Sequence, residues 1–232
     1  RTRASRMSRF FVTSTGTGSG KTIVTCALTH QLRAKSRVVR ALKPIVTDFT
    51  EHRIEASDTY EIIHALGEQV AAETIAHVSP WRFIAPMSPD MAAAREGRAI
   101  NFLDLLAFCQ PGHEDVQLIE GIGGAFVPID DRHLVVDWIK ALDIPVILVV
   151  GSYLGTLSHT IATVTGLKAR GIHLAALVIS ESEESPVPIE ETAQTLCRFL
   201  PDIPVASVPR VAHWRDSPDL TAMAQSDSAS AA

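Results

Sequence analysis

Ser14-Thr15-Gly16-Thr17-Gly18-Ser19-Gly20-Lys21-Thr22 follows directly on an apolar run at residues 10–13. A phosphate group needs donors that converge on it at close range. Glycines let a loop curl so that its backbone N–H groups point inward. A helix opening near Gly20 adds free N–H groups and the positive end of its dipole. Lys21 is then placed to reach β- and γ-phosphates, and Thr22 to set a hydroxyl on Mg²⁺. The usual spacing of such loops, G-x-x-x-x-G-K-[ST], is not met, because Thr15 stands where the first glycine belongs. The strand before, the helix after and the glycines at 16, 18 and 20 still specify a phosphate cradle.

Outward from the loop, strand-like and helix-like segments alternate. Strands are expected at 10–13, 38–42, 116–119, 145–150, 174–179 and 205–208. Helices are expected at 20–34, 134–142, 155–170 and 189–200, with a helical, loop-broken stretch from 77 to 112. Asp58 opens another helix, with Glu61 three residues on completing a capping box. The strands are continuous Val/Ile/Leu runs, which indicates burial on both faces. The pattern is that of a single-domain α/β fold, doubly wound around a mostly parallel sheet with helices on both faces. In such folds ligands bind at the carboxyl ends of the strands. The domain is expected to span 10–215, with an N-terminal extension at 1–9 and a flexible tail at 216–232. Met7 reads as the natural start, and the Ser/Ala-rich 226–232 as disordered.

The 232 residues and 46% hydrophobic content suit one sizeable core. A net charge of -5 argues against nucleic acid as a partner. The first acidic residue is nevertheless Asp48, so the N-terminal fifth is basic, which suits an anionic ligand near that end. Cys26, Cys109 and Cys197 are far apart, unlike a disulfide framework or zinc knuckle. They fit a reducing, cytoplasmic compartment. No apolar run approaches the roughly 20 residues of a membrane span, so no membrane partner is expected.

Several polar residues fall at the carboxyl ends of strands. Glu120 tips an apolar strand ahead of Gly121, Gly123 and Gly124, where a carboxylate needs a cation to answer it. Asp58 is either a plain N-cap or a metal ligand. Lys43 is either a solvated strand tip or a second cation for phosphoryl transfer. The turn at 151–159 is either an ordinary strand-to-helix connection or a second anion site. The nine histidines show no metal-ligand pairing, and His113-Glu114-Asp115 reads as a solvated turn.

Taken in order, Phe11-Val12-Thr13 with the glycine loop, Leu42-Lys43-Pro44, Ser57-Asp58, Pro86-Met87-Ser88-Pro89, Glu120-Gly121-Ile122-Gly123-Gly124 and Leu154-Gly155-Thr156-Leu157-Ser158-His159 resemble the dethiobiotin synthetase family. The likeness runs from about residue 10 to 215. This family's loop is one residue longer than the standard P-loop, which accounts for the misfit at Thr15. The resemblance implies a reaction. One amine of 7,8-diaminononanoate takes up CO₂ as a carbamate, the carbamate attacks the γ-phosphate of ATP, and the second amine closes the cyclic urea, leaving ADP and phosphate.

The resemblance also implies roles. Lys21 and Lys43 neutralise charge at the carbamate and γ-phosphoryl group, with Thr17 beside them. Thr22, Asp58 and Glu120 hold Mg²⁺. Gly18, Ser19, Gly20, Ile23, Gly121, Ile122 and Gly123 contact ATP, and Thr47 and Gly123 contact substrate. Ser180, Glu181, Pro209, Arg210 and Val211 wall the base pocket. The family is a homodimer, so Leu154, Gly155 and Ser158 would cap the substrate carboxylate bound to the facing subunit.

Some positions depart from the family. Ser14 replaces the glycine that usually opens the loop and would be strained if its φ were positive. Gly18 stands where some members are acidic. Ser180-Glu181 replaces the common Asn-Asp, whose Asn reads adenine. One serine hydroxyl offers less, so looser base selectivity is expected. The alternative reading is a switch ATPase of the partition and septum-positioning type. Those proteins carry an additional lysine early in the loop, where this chain has Thr15 and Gly16.

Overall fold

The computed structural model describes residues 7–224. In chain order the elements are β1 Ser8–Ser14, α1 Lys21–Ala34, β2 Val39–Leu42, β3 Ile45–Val46, α2 Asp58–Leu66, α3 Ala72–Val78, β4 Trp81–Arg82, α4 Pro89–Arg95 and α5 Phe102–Phe108. They continue with β5 Val116–Glu120, α6 Val135–Leu142, β6 Val146–Val150, α7 Thr156–Ala169, β7 Leu174–Ser180, α8 Ile189–Phe199 and β8 Val205–Val208. Short 3₁₀ turns lie at Glu51–Ala56, Trp214–Asp216 and Thr221–Ala224.

Six strands form one parallel sheet in the order β2-β5-β1-β6-β7-β8. Alternate residues of each strand feed two cores, one on either face. Phe11, Ile119 and Leu148 join the first, and Phe10, Val12, Leu118 and Val149 join the second. Burial on both sides leaves no position for a polar alternation, which explains the uninterrupted apolar runs. Phe11 meets Trp138 of α6 edge-on, with ring centroids 4.7 Å apart. Successive parallel strands put their carboxyl ends on one rim, and the glycine loop leaves β1 there.

The structure corrects several expectations. Ser8 and Arg9 belong to β1, paired with Val116 and Gln117, so the sheet begins inside the expected N-terminal extension. The extra parallel pair β3–β4, with Ile45 in register with Trp81, follows Lys43-Pro44 where the second strand was expected to stop. The expected tail from residue 216 is in part packed structure. Leu220 and Ala224 are buried in the same core as Leu28 and Leu32 of α1. Gln31 fixes that segment, its Oε1 accepting from Leu220 N at 2.8 Å. The expectations for residues 1–6 and 225–232 lie outside the described residues. Among the described residues no helix is long and apolar enough to cross a membrane.

Candidate nucleotide and substrate site

The loop between β1 and α1 turns on glycine. Gly18 and Gly20 have φ of 74° and 85°, conformations open to glycine at little cost. A Cβ on Gly20 would also lie 2.3 Å from Ser180 Oγ. On its other side the loop rests on the segment after β5, where a Cβ on Gly124 would fall 2.9 Å from Thr15 O. That approach is backbone against backbone, so neither side can give.

Ser14 is not strained. It completes β1 and is absent from the positive-φ residues, so the feared cost does not arise. Its hydroxyl has a use instead. Ser14 Oγ lies 2.6 Å from Gly16 O and 2.9 Å from Gly123 O, and its single proton serves one of them. It also accepts from Lys21 Nζ at 3.0 Å. Lys21 donates to Gly123 O at 2.9 Å, so the ammonium group is held by backbone and hydroxyl oxygens. Burial above all, and then the charge of Lys43, push the Lys21 amine down to about 8, against the pull of Glu120 and Asp58.

Lys43 is not a solvated tip. It is 3% exposed, beside the fully buried Glu120. Its Nζ lies 2.5 Å from Glu120 Oε1 and 2.8 Å from Asp58 Oδ2. Burial lowers its affinity for the proton, but the two carboxylates outweigh that and raise it above the ordinary lysine range. Asp58 shows the reciprocal effect: burial would raise it, and Lys43 and the Thr22 hydroxyl hold it below the usual carboxylate range. Thr22 Oγ1 lies 2.8 Å from Asp58 Oδ1 and 2.9 Å from Glu120 Oε1.

Asp58 is free for these contacts because it is not the cap of α2. Ser57 is, its Oγ accepting from Tyr60 N, and the expected capping box is therefore displaced. Glu61 instead accepts from Trp214 Nε1 at 2.7 Å.

Two cavities adjoin at the loop, sharing Gly18, Gly20 and Ile23. The first, about 660 Å³, also meets Thr17, Ser19, Lys21, Thr22, Thr47, Asp58, Ile122 and Gly123. The second, about 370 Å³, is walled by Ser180, Glu181, Pro209, Arg210 and Val211. Its rim is tied together: Glu181 Oε2 accepts from Arg210 N at 2.8 Å. Ser152 and Ser182 exchange backbone-to-hydroxyl bonds of 3.0 and 2.9 Å, pinning the loops after β6 and β7. Sequence reasoning missed Asp48, Val46 and Val127 in the first cavity, and Ser182 and Glu183 in the second. It also misread Glu114, which is 8% exposed and accepts from Gly112 N rather than lying in a solvated turn. Leu154, Gly155 and Ser158 line neither cavity of the single chain; Leu154 is 86% exposed.

A family model described as an AAA domain matches residues 8–223. The ATP-dependent dethiobiotin synthetase BioD of Acidiphilium cryptum is 46% identical over 218 residues, covering 90% of this chain and 98% of its own length. That of Methylobacterium nodulans is 44% identical, over 83% of this chain and 89% of its own. The chain belongs to the ATP-dependent dethiobiotin synthetase family. The Bacillus subtilis subsp. natto synthetase is a more distant relative, at 32% identity over 89% of each chain.

Among solved structures, cell division protein FtsY of Thermotoga maritima aligns with a TM-score of 0.54 at 12% identity, over 96% of this chain and 68% of its own. The septum site-determining protein MinD of Pyrococcus horikoshii, complexed with Mg-ADP, gives 0.50 at 16%, over 88% and 81%. At such identities the likeness shows the shared P-loop NTPase-like fold alone. Within the synthetase family, the residues that carried the resemblance are those the fold gathers on one rim of the sheet.

Proposed function

We propose that this synthetase closes a cyclic urea from 7,8-diaminononanoate and CO₂ at the expense of ATP, giving dethiobiotin, ADP and phosphate. The observation that carries the reading is the pair of cavities meeting at the glycine loop, with Lys21 and Asp58 in the wall of the larger one and Lys43 joining Asp58 to the buried Glu120. The base and ribose occupy the smaller cavity, the phosphates follow the loop, and the diamine occupies the larger one. Lys21 and Lys43 answer the negative charge of the carbamate oxygen and of the γ-phosphoryl group during attack. Thr17, exposed on the loop, and Thr47 contact phosphate and substrate from the cavity wall. Closure of the ring by the second amine releases phosphate.

Thr22, Asp58 and Glu120 fit a magnesium ion. They offer hard oxygens, and buried Glu120 Oε2 has no hydrogen-bond partner. Among the described residues no group of three or more His, Cys, Asp and Glu is arranged for a metal, so nucleotide phosphate oxygens would share the coordination. Bound there, the ion supplies charge neutralisation for the phosphates. A homodimer accounts for the placement of Leu154, Gly155 and Ser158. Leu157 and Phe126, 37% and 39% exposed, add apolar surface for a facing subunit. A cytoplasmic setting accords with free Cys26, Cys109 and Cys197.

The test is phosphate release from Mg-ATP and bicarbonate, with and without the diamine, following dethiobiotin by mass. Release that requires the diamine and yields the cyclic urea is expected; slow hydrolysis indifferent to it overturns the reading. With GTP and CTP in place of ATP, kcat/KM should fall by less than about tenfold, since Ser180 has one hydroxyl with which to discriminate.

A further inference from the structure

Asp48 has a φ of 58°, in the left-handed region that L side chains rarely enter, although Asp enters it more readily than most. Such a conformation persists where the surroundings over-determine it, and it recurs at ligand clamps. The surroundings here are firm. The next residue, Phe49, is 5% exposed and donates its N–H to Phe83 O at 3.0 Å. The turn is thereby fixed immediately after β3, and Asp48 takes its place in the wall of the larger cavity beside Thr47.

The charges of that wall are Lys21, Asp48 and Asp58. Lys21 is tied to Ser14 Oγ and Gly123 O. Asp58 is held by Lys43 and Thr22. The ion pair recorded for Asp48 is with Arg53 at 3.8 Å, both side chains being more than 60% exposed. An exposed pair at that distance contributes little. Asp48 is therefore the carboxylate of the wall left open to a ligand.

A substrate with two neighbouring amines enters as a cation. A cavity lined by Lys21, with Lys43 behind Asp58 of its wall, repels it unless an anion stands nearby. We infer that Asp48 is that anion: it contacts an ammonium group of the incoming diamine and is a determinant of substrate recognition. This rests on the diamine reading given under Proposed function.

The test compares the full-length parent with Asp48→Asn, which keeps the shape and the tolerance for positive φ, and Asp48→Gly, which removes the side chain and any strain. KM is measured for 7,8-diaminononanoate and for ATP, and calorimetry gives the Kd of the diamine without nucleotide. Both variants should raise the diamine KM and Kd about tenfold, with the ATP KM within about twofold of the parent. Parent-like diamine constants in both variants overturn the inference and leave the ligase reading intact. An equal rise in the ATP KM assigns the effect to loop damage and also overturns it. A parent that neither binds nor turns over the diamine overturns both.

Discussion

Lys21 and Lys43 are both buried, yet their surroundings move them in opposite directions. For Lys21 burial dominates and the amine falls to about 8, against about 10.4 for an unfolded lysine. Below pH 8 both states hold the proton, and the folded protein carries the cost of the buried charge. Between 8 and 10.4 the unfolded chain binds more protons, so stability rises with pH. Urea denaturation of the ligand-free protein should show Lys21→Met to be more stable than the parent at pH 7. The difference, about 3 kcal/mol, should vanish near the upper limit; a pH-independent difference would contradict the account.

Lys43 behaves otherwise. From sequence alone, Lys43→Ala would abolish turnover and spare the fold, since a strand-tip lysine carries no packing. In the structure Lys43 answers the buried Glu120, and removing one partner of such a pair costs about 3–5 kcal/mol. Lys43→Ala should therefore lose both diamine-dependent phosphate release and thermal stability; an unchanged melting temperature would refute the pairing. What sequence could not show at these residues was depth. Lys43-Pro44 looks the same whether the ammonium meets water or two carboxylates. Likewise Ser57 and Asp58 are both good caps, and only the direction of Ser57 Oγ decides between them.

Elements of regular length were legible and very short ones were not. β1, α1, β5, β6 and β7 fall close to where hydrophobic periodicity put them, because two-sided burial writes itself into the sequence. β3 and β4 are two residues each, too short for any period to register. The glycine loop was legible in outline, since strand, glycines and lysine are adjacent. Its support was not: Gly124 sits more than a hundred residues away and matters through one backbone approach. Gly124→Ala should push the loop from β5, raising the ATP KM at least about tenfold and lowering stability by about 1–3 kcal/mol. ATP kinetics like those of the parent would show the loop to be independent of that contact.

At the scale of the molecule, the segment after Arg215 was misjudged because Leu220 and Met223 are isolated apolar residues in a polar stretch. Their main partner, the buried face of α1, is distant in sequence. Truncation after Arg215 should uncover that face. Losing the burial of Leu220 and Ala224 should lower stability by about 2–4 kcal/mol, readable as a drop of several degrees in melting temperature; an unchanged transition would restore the view of a loose tail.

The strand order bears on how the molecule is made. β1 leaves the ribosome first, but its neighbours on either side are β5 and β6. The nascent chain must therefore carry an apolar, unpaired β1 over the roughly 100 residues that separate it from β5. The phosphate loop hangs from that strand, and its lysine waits for the carbonyl of Gly123. ATP thus lacks a complete phosphate site until β5 and Gly123 have been made. Nucleotide therefore cannot act as a template for folding the segments that precede β5.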